Sequence, residues 1–158
     1  MERRGVGLTE FLGAEKEYDP VRRTRWKKNY HFGAFHTNSR GFLGPEFNDH
    51  KEPGSFRIVC LGDSASVIPP DHTYPAALEQ TLRNGMPDRR IDVINASVAG
   101  YDSGQARLWY EDEVDKIDHH ILVELHFEIE RNLQRAPGRF GVVGVDVEDR
   151  QLRHLRDV

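Results

Sequence analysis

A serine stands where the run Phe56-Arg57-Ile58-Val59-Cys60-Leu61-Gly62-Asp63-Ser64 leaves its apolar stretch. A glycine at the end of a strand lets the chain turn sharply, because no Cβ obstructs the bend. In open α/β sheets, reactive groups stand at the carboxyl ends of the strands. A hydroxyl offered there acts as a nucleophile once a base takes its proton. The same three residues also suit an ordinary turn, so Ser64 needs partners before it means chemistry. Asp63 is placed to shape that turn through its side-chain hydrogen bonds.

The remaining reactive types give weaker patterns. Cys60 is the only cysteine, so no intrachain disulfide forms, and its apolar neighbours mark it as a buried small hydrophobe. Of eight histidines, only His31 with His36 and His119 with His120 are close pairs. Neither spacing brings two imidazoles together on a helix face, and no cysteine or carboxylate completes a metal-ligand pattern. Glu111-Asp112-Glu113 and Asp115 read as the solvated face of a helix. No phosphate-cradling glycine loop is present. Neither a metal nor another cofactor is expected.

Elements that position Ser64 emerge from residue 56 onward. Phe56 to Leu61 predicts a buried strand. Tyr74 to Asn84 predicts a helix with Ala77, Leu78 and Leu82 on one face, Thr73 as its N-cap and Gly85 as its stop. Ile91 to Asn95 predicts a second strand. Ser103 to Ile117 predicts a second helix, with Ala106, Trp109, Tyr110, Val114 and Ile117 at helical spacing. Ile121 to Phe127 predicts a third strand. Strands alternating with helices imply an α/β domain with a parallel sheet. After Phe127 the pattern weakens. Glu128 to Arg135 reads as a helix, Gly138 to Val147 as a strand or loop, and Asp149 to Val158 as a short helix.

Residues 1–54 show little periodicity. Their Gly, Asn, His and aromatic residues suit turns and short extended pieces laid over the domain of residues 55–158. Phe32, Phe35, Phe42 and Phe47 are the candidates to pack there. Arg22, Arg23, Arg25, Lys27 and Lys28 read as a solvated basic segment. The 158 residues suffice for one domain with a real core. A net charge of −4 argues against a nucleic-acid partner. No apolar stretch is long enough to span a membrane, and Met1 to Glu17 lacks the apolar centre of a signal peptide. A cytoplasmic location is the default expectation.

Three stretches in order give residues 56 to about 118 a resemblance to the SGNH (GDSL-type) hydrolase superfamily. Gly62-Asp63-Ser64 resembles its first block. Thr73-Tyr74-Pro75, followed by an amphipathic helix, resembles the next segment. Ile94-Asn95-Ala96-Ser97-Val98-Ala99-Gly100 resembles the second block, with Asn95 as a supporting residue. Upstream, Asn38-Ser39-Arg40-Gly41-Phe42-Leu43-Gly44-Pro45-Glu46-Phe47 resembles the lead-in of one bacterial branch. The resemblance implies a flavodoxin-like three-layer parallel sheet. It implies Ser64 as nucleophile and the Gly100 N–H as an oxyanion donor. The substrate would be an acyl ester of a carbohydrate or small alcohol.

Two blocks of that pattern are not matched. The third strand should lead into Gly-x-Asn-Asp, but Leu125, Phe127 and Glu128 take those places, and phenylalanine cannot donate to an oxyanion. Asn132 lies five residues beyond. The terminal Asp-x-x-His is also missing. Asp149 and His154 are five apart, a spacing that does not face both groups to one point on a helix. His154 and His126 are the remaining candidates for the base, which stays unassigned. About 95 residues follow Ser64, so the expectation is a fold cut short or shifted in frame after about His119. A catalytically idle remnant that binds a ligand or partner is the alternative to an active esterase.

Overall fold

The computed structural model describes residues 14–67, 72–126 and 141–146, with 124–126 and 141–146 described through their backbone alone. Two hairpins come first. Strands β1 (Lys16–Asp19) and β2 (Arg23–Trp26) pair antiparallel, Lys16 opposite Trp26. Asp19 closes their turn by accepting the N–H groups of Val21 and Arg22 at 3.0 and 2.7 Å, which is the local bonding that favours aspartate in turns. Strands β3 (His31–Phe32) and β4 (Phe35–His36) meet through Gly33, whose φ of +60° suits a side-chain-free residue.

The main sheet has four strands in the order β6-β5-β7-β8. They are β5 (Ser55–Gly62), β6 (Arg90–Asn95), β7 (Ile121–His126) and β8 (Gly141–Asp146). β6 and β7 run parallel to β5 on either side, and β8 adds antiparallel to β7. The chain is therefore α/β, as the alternating pattern predicts, with three parallel strands and one antiparallel edge strand. Strand β5 is buried from Arg57 to Gly62, as a central parallel strand covered on both faces must be. Arg57 is tolerated there because its guanidinium reaches the carbonyls of Asn48 and Asp49 at 2.8 and 3.2 Å.

Helix α1 (Tyr74–Gly85) starts at Thr73, whose hydroxyl accepts the Ala76 N–H. It includes Gly85, predicted as the stop, and is capped at Met86 instead. Its apolar face is thinner than the spacing implies: Leu78 and Leu82 are half-buried and Ala77 is exposed. The helix guards the open edge of β6. Arg83 donates to the Ile91 carbonyl at 3.0 Å and Glu79 accepts the Val93 N–H at 3.3 Å. Satisfying edge groups in this way keeps another strand from adding there.

The predicted second helix divides. Helix α2 (Ser103–Trp109) opens on a capping box between Asp102 and Gln105. A π turn (Tyr110–Val114) follows, closed by the Asp115 N–H on the Tyr110 carbonyl at 2.9 Å. The reason lies in the residue types. Continuing the α period from Ala106 and Trp109 would turn Glu113 inward. One residue's extra winding brings in Val114 instead, which is fully buried.

The N-terminal hairpins are part of the core. Trp26, Phe35 and Phe42 are buried and pack with Val59, Leu61, Ile94, Trp109 and Val114. Phe42 lies 4.9 Å from Trp109 and Trp26 lies 5.0 Å from Phe35, centre to centre. Phe47 is partly buried against this core, whereas Phe32 is 39% exposed. Arg22 also departs from the solvated reading. It is buried, bonds Asp19 at 2.7 Å and lies 4.7 Å above the Trp109 ring. Asp19 supplies the reason, since a buried guanidinium persists when a carboxylate and an aromatic face take the place of water.

Candidate functional site

Ser64 and Gly100 stand at the same end of the sheet. The ladder between β5 and β6 continues past the strands proper. Ala96 donates to the Cys60 carbonyl at 2.7 Å and Val98 donates to the Gly62 carbonyl at 2.9 Å. Ser64 and Gly100 each lie two residues beyond that last bond. Both therefore leave the carboxyl end of adjacent parallel strands, where such sheets place their sites.

Ser64 opens a 3₁₀ turn, Ser64–Ser66, and is exposed. Asp63 precedes it, is buried, and accepts the Ala65 N–H at 2.9 Å through its carboxylate. Asp63 thus caps the turn, as the residue types imply. Asn95 braces the same turn from the neighbouring strand. Its amide donates to the Ser66 carbonyl at 2.9 Å, and its carbonyl oxygen accepts the Ser97 N–H at 3.1 Å. Tyr74 closes the underside near Cys60 and Ser66, and burial pushes its hydroxyl pKa up. Burial also pushes the Cys60 thiol up to about 11, which leaves it protonated and inert at neutral pH.

Gly100 belongs to a β-turn in which the Tyr101 N–H donates to the Val98 carbonyl at 3.1 Å. Its φ of +82° is what the third position of a type II turn requires. The loop leading to it is tied at each carbonyl. Trp109 donates to Ala96 at 2.9 Å, Trp26 donates to Ser97 at 2.8 Å, and Lys16 donates to Ala99. Every carbonyl from Ala96 to Ala99 thus has a partner, and three of the four donors come from side chains outside the loop. Sequence reasoning missed Lys16, because nothing in its local pattern signals a contact 83 residues away.

A cleft of roughly 190 Å³ lies along β6 between the β3–β4 hairpin and α1, and neither Ser64 nor Gly100 lines it. Its walls include His36, Leu43, Val67, Thr73, Glu79 and Asn95. Val67 caps the Ser64 turn.

The histidines divide by position. His119 and His120 sit at the far end: His120 Nδ1 accepts the Arg57 N–H at 3.1 Å, and its ring stacks 4.6 Å from Phe56. About 17 Å of extended strand separate Arg57 from Gly62. Neither can reach Ser64. His50 adjoins Asp49, whose carbonyl accepts the Asp118 N–H at that same far end. His36 lines the cleft, and exposed His72 immediately precedes the cap of α1. Sequence reasoning did not single out His72. The available signal was its place between the candidate nucleophile and a helix N-cap. His31 and His36 stack across their hairpin at 5.7 Å. Among the described residues, however, no three His, Cys, Asp or Glu gather as metal ligands.

No described residue hydrogen-bonds the Ser64 hydroxyl. Phe127, Asn132, Asp149 and His154 lie outside the described residues, as does the side chain of His126. Leu125 pairs with Gly62 through the backbone, so the third-block register runs beside the candidate site. No helix among the described residues is long and apolar enough to cross a membrane. No protein-family model matches this chain, and no curated protein matches it.

Proposed function

We propose that this chain is a serine ester hydrolase of the SGNH (GDSL-type) kind, built on a flavodoxin-like sheet. The observation that carries the reading is the placement of an exposed Ser64 beside the Gly100 turn, at the carboxyl ends of adjacent parallel strands. In this reading Ser64 Oγ attacks the carbonyl carbon of an acyl ester, and its proton passes to a base. The tetrahedral oxyanion takes hydrogen bonds from the Ser64 and Gly100 N–H groups, each such donor contributing about 3 kcal/mol to the transition state. Collapse expels the alcohol, and water then releases the acyl group from Ser64. Of the described histidines, His36 and His72 stand at the right end of the sheet to serve as base. The cleft between the hairpin and α1 supplies apolar wall from Leu43, Val67 and Pro75 for part of the ester. The alcohol is that of a carbohydrate or another small alcohol.

A second reading has its own support. Among the described residues no base is hydrogen-bonded to Ser64, and the third block carries Phe127 where an asparagine would donate. An idle domain that binds a ligand in the same cleft fits those two facts. Hydrolysis of short-chain p-nitrophenyl esters separates the readings. Turnover that disappears in Ser64→Ala supports the hydrolase. Equal rates for wild type and Ser64→Ala reject it.

A further inference from the structure

The peptide unit joining Ala99 to Gly100 is the middle of the Val98–Tyr101 turn. Because a trans peptide is planar, its carbonyl and its N–H point in opposite directions. Type I and type II turns differ in which way this middle unit faces. Gly100, at φ +82°, holds the type II orientation. Whatever grips the Ala99 carbonyl therefore also decides where the Gly100 N–H points.

Lys16 does the gripping. Its ammonium donates to the Ala99 carbonyl from strand β1. Among the described residues, its Nζ is also the atom that a Cβ on Gly100 would meet, at 3.7 Å. The side chain is held from two sides. Lys16 pairs in register with Trp26, and its Nζ lies 5.0 Å from the Trp26 ring centre. Trp26 in turn donates to the Ser97 carbonyl at 2.8 Å. Two register partners of one hairpin thus hold two carbonyls of one loop, so the hairpin acts as a clamp on the turn. A cation on the carbonyl side also polarises the peptide and strengthens the N–H opposite as a donor.

We infer that Lys16 is a positioning residue that holds the Ala99–Gly100 peptide so that the Gly100 N–H serves as an oxyanion donor. This rests on the reading of Ser64 as a nucleophile. The role is to set an orientation, and Lys16 itself need not touch substrate. Burial lowers its pKa, with Glu15 opposing that effect.

The test compares wild type, Lys16→Met and Lys16→Arg with two readouts. One is the NOE between Ala99 Hα and the Gly100 amide, strong when the unit faces as in a type II turn. The other is the rate at which a fluorophosphonate labels Ser64. The expected result is a weakened NOE and labelling slowed at least about tenfold in Lys16→Met, with recovery of both in Lys16→Arg. An unchanged NOE and Gly100 amide shift in Lys16→Met overturn the inference, whether or not Ser64 reacts. Wild-type protein that shows the NOE but takes no label overturns the hydrolase reading, and with it the purpose assigned to Lys16. Should Lys16→Met not fold, Lys16→Leu, which also removes the donor, carries the test by the same criteria.

Discussion

Two glycine-to-alanine substitutions should move stability in opposite directions. At Gly100 an added Cβ meets, among the described residues, nothing closer than Lys16 Nζ at 3.7 Å, an ordinary van der Waals contact. Steric overlap therefore contributes nothing, and the cost is conformational. Holding an L residue at φ +82° costs about 1 to 2 kcal/mol. The loss of unfolded-state freedom offsets about 0.4 to 1 kcal/mol of that. The net effect is a destabilisation of about 1 kcal/mol, or some 2–4 °C in Tm for a domain of this size. Gly85 is the control. It ends α1, lacks a positive φ, and among the described residues has nothing within 4 Å of the new Cβ. There the unfolded-state term acts alone, and Gly85→Ala should stabilise by about 0.4 to 1 kcal/mol. Thermal and urea unfolding of both variants beside wild type provide the assay. Gly100→Ala as stable as wild type would refute the strain argument and the turn geometry behind it.

Other outcomes follow from the same structure. The Arg22 hydrogen bond, with two backbone N–H groups, holds the buried Asp19 carboxyl at about 2, below its ordinary 3.8. A carboxylate with a depressed pKa stabilises the fold above its unfolded value, so stability should fall between about pH 4 and pH 2. The loss is about 1 to 2 kcal/mol after solvent screening, and acid titration of Asp19→Asn should lack that limb. Cys60, fully buried with its thiol pushed up to about 11, should resist a thiol reagent in native protein and react once urea unfolds it. Asp63→Ala removes the acceptor for the Ala65 N–H and should cost about 1 kcal/mol of unfolding free energy, measured in urea.

Much of the fold was legible because local rules and tertiary packing agree. The run from Phe56 to Leu61 is apolar apart from Arg57, and a central strand buries it from Arg57 onward. Thr73 caps a helix because its hydroxyl is the right acceptor at the right place. Where the two disagreed, the sequence misled. A helical period through Ser103 to Ile117 hid a π turn, since the inward residue had to be Val114 rather than Glu113. Ala77 sits at the correct spacing for α1, but a helix that guards a sheet edge covers less apolar surface than one lying across its face. Arg22 looked solvated because a charge run gives no sign of a buried carboxylate partner three residues earlier. For the candidate site, Ser64, Asp63, Asn95 and Gly100 were visible as strand-end residues. Lys16 and Trp26 were not, because their roles come from a hairpin that folds back over a loop some 70 to 80 residues further on.

Intact-mass analysis after exposure to a fluorophosphonate tests the hydrolase reading most directly, with Ser64→Ala as the control. The account predicts one label per chain on folded wild-type protein and none on Ser64→Ala. Folded wild-type protein that takes no label would contradict it.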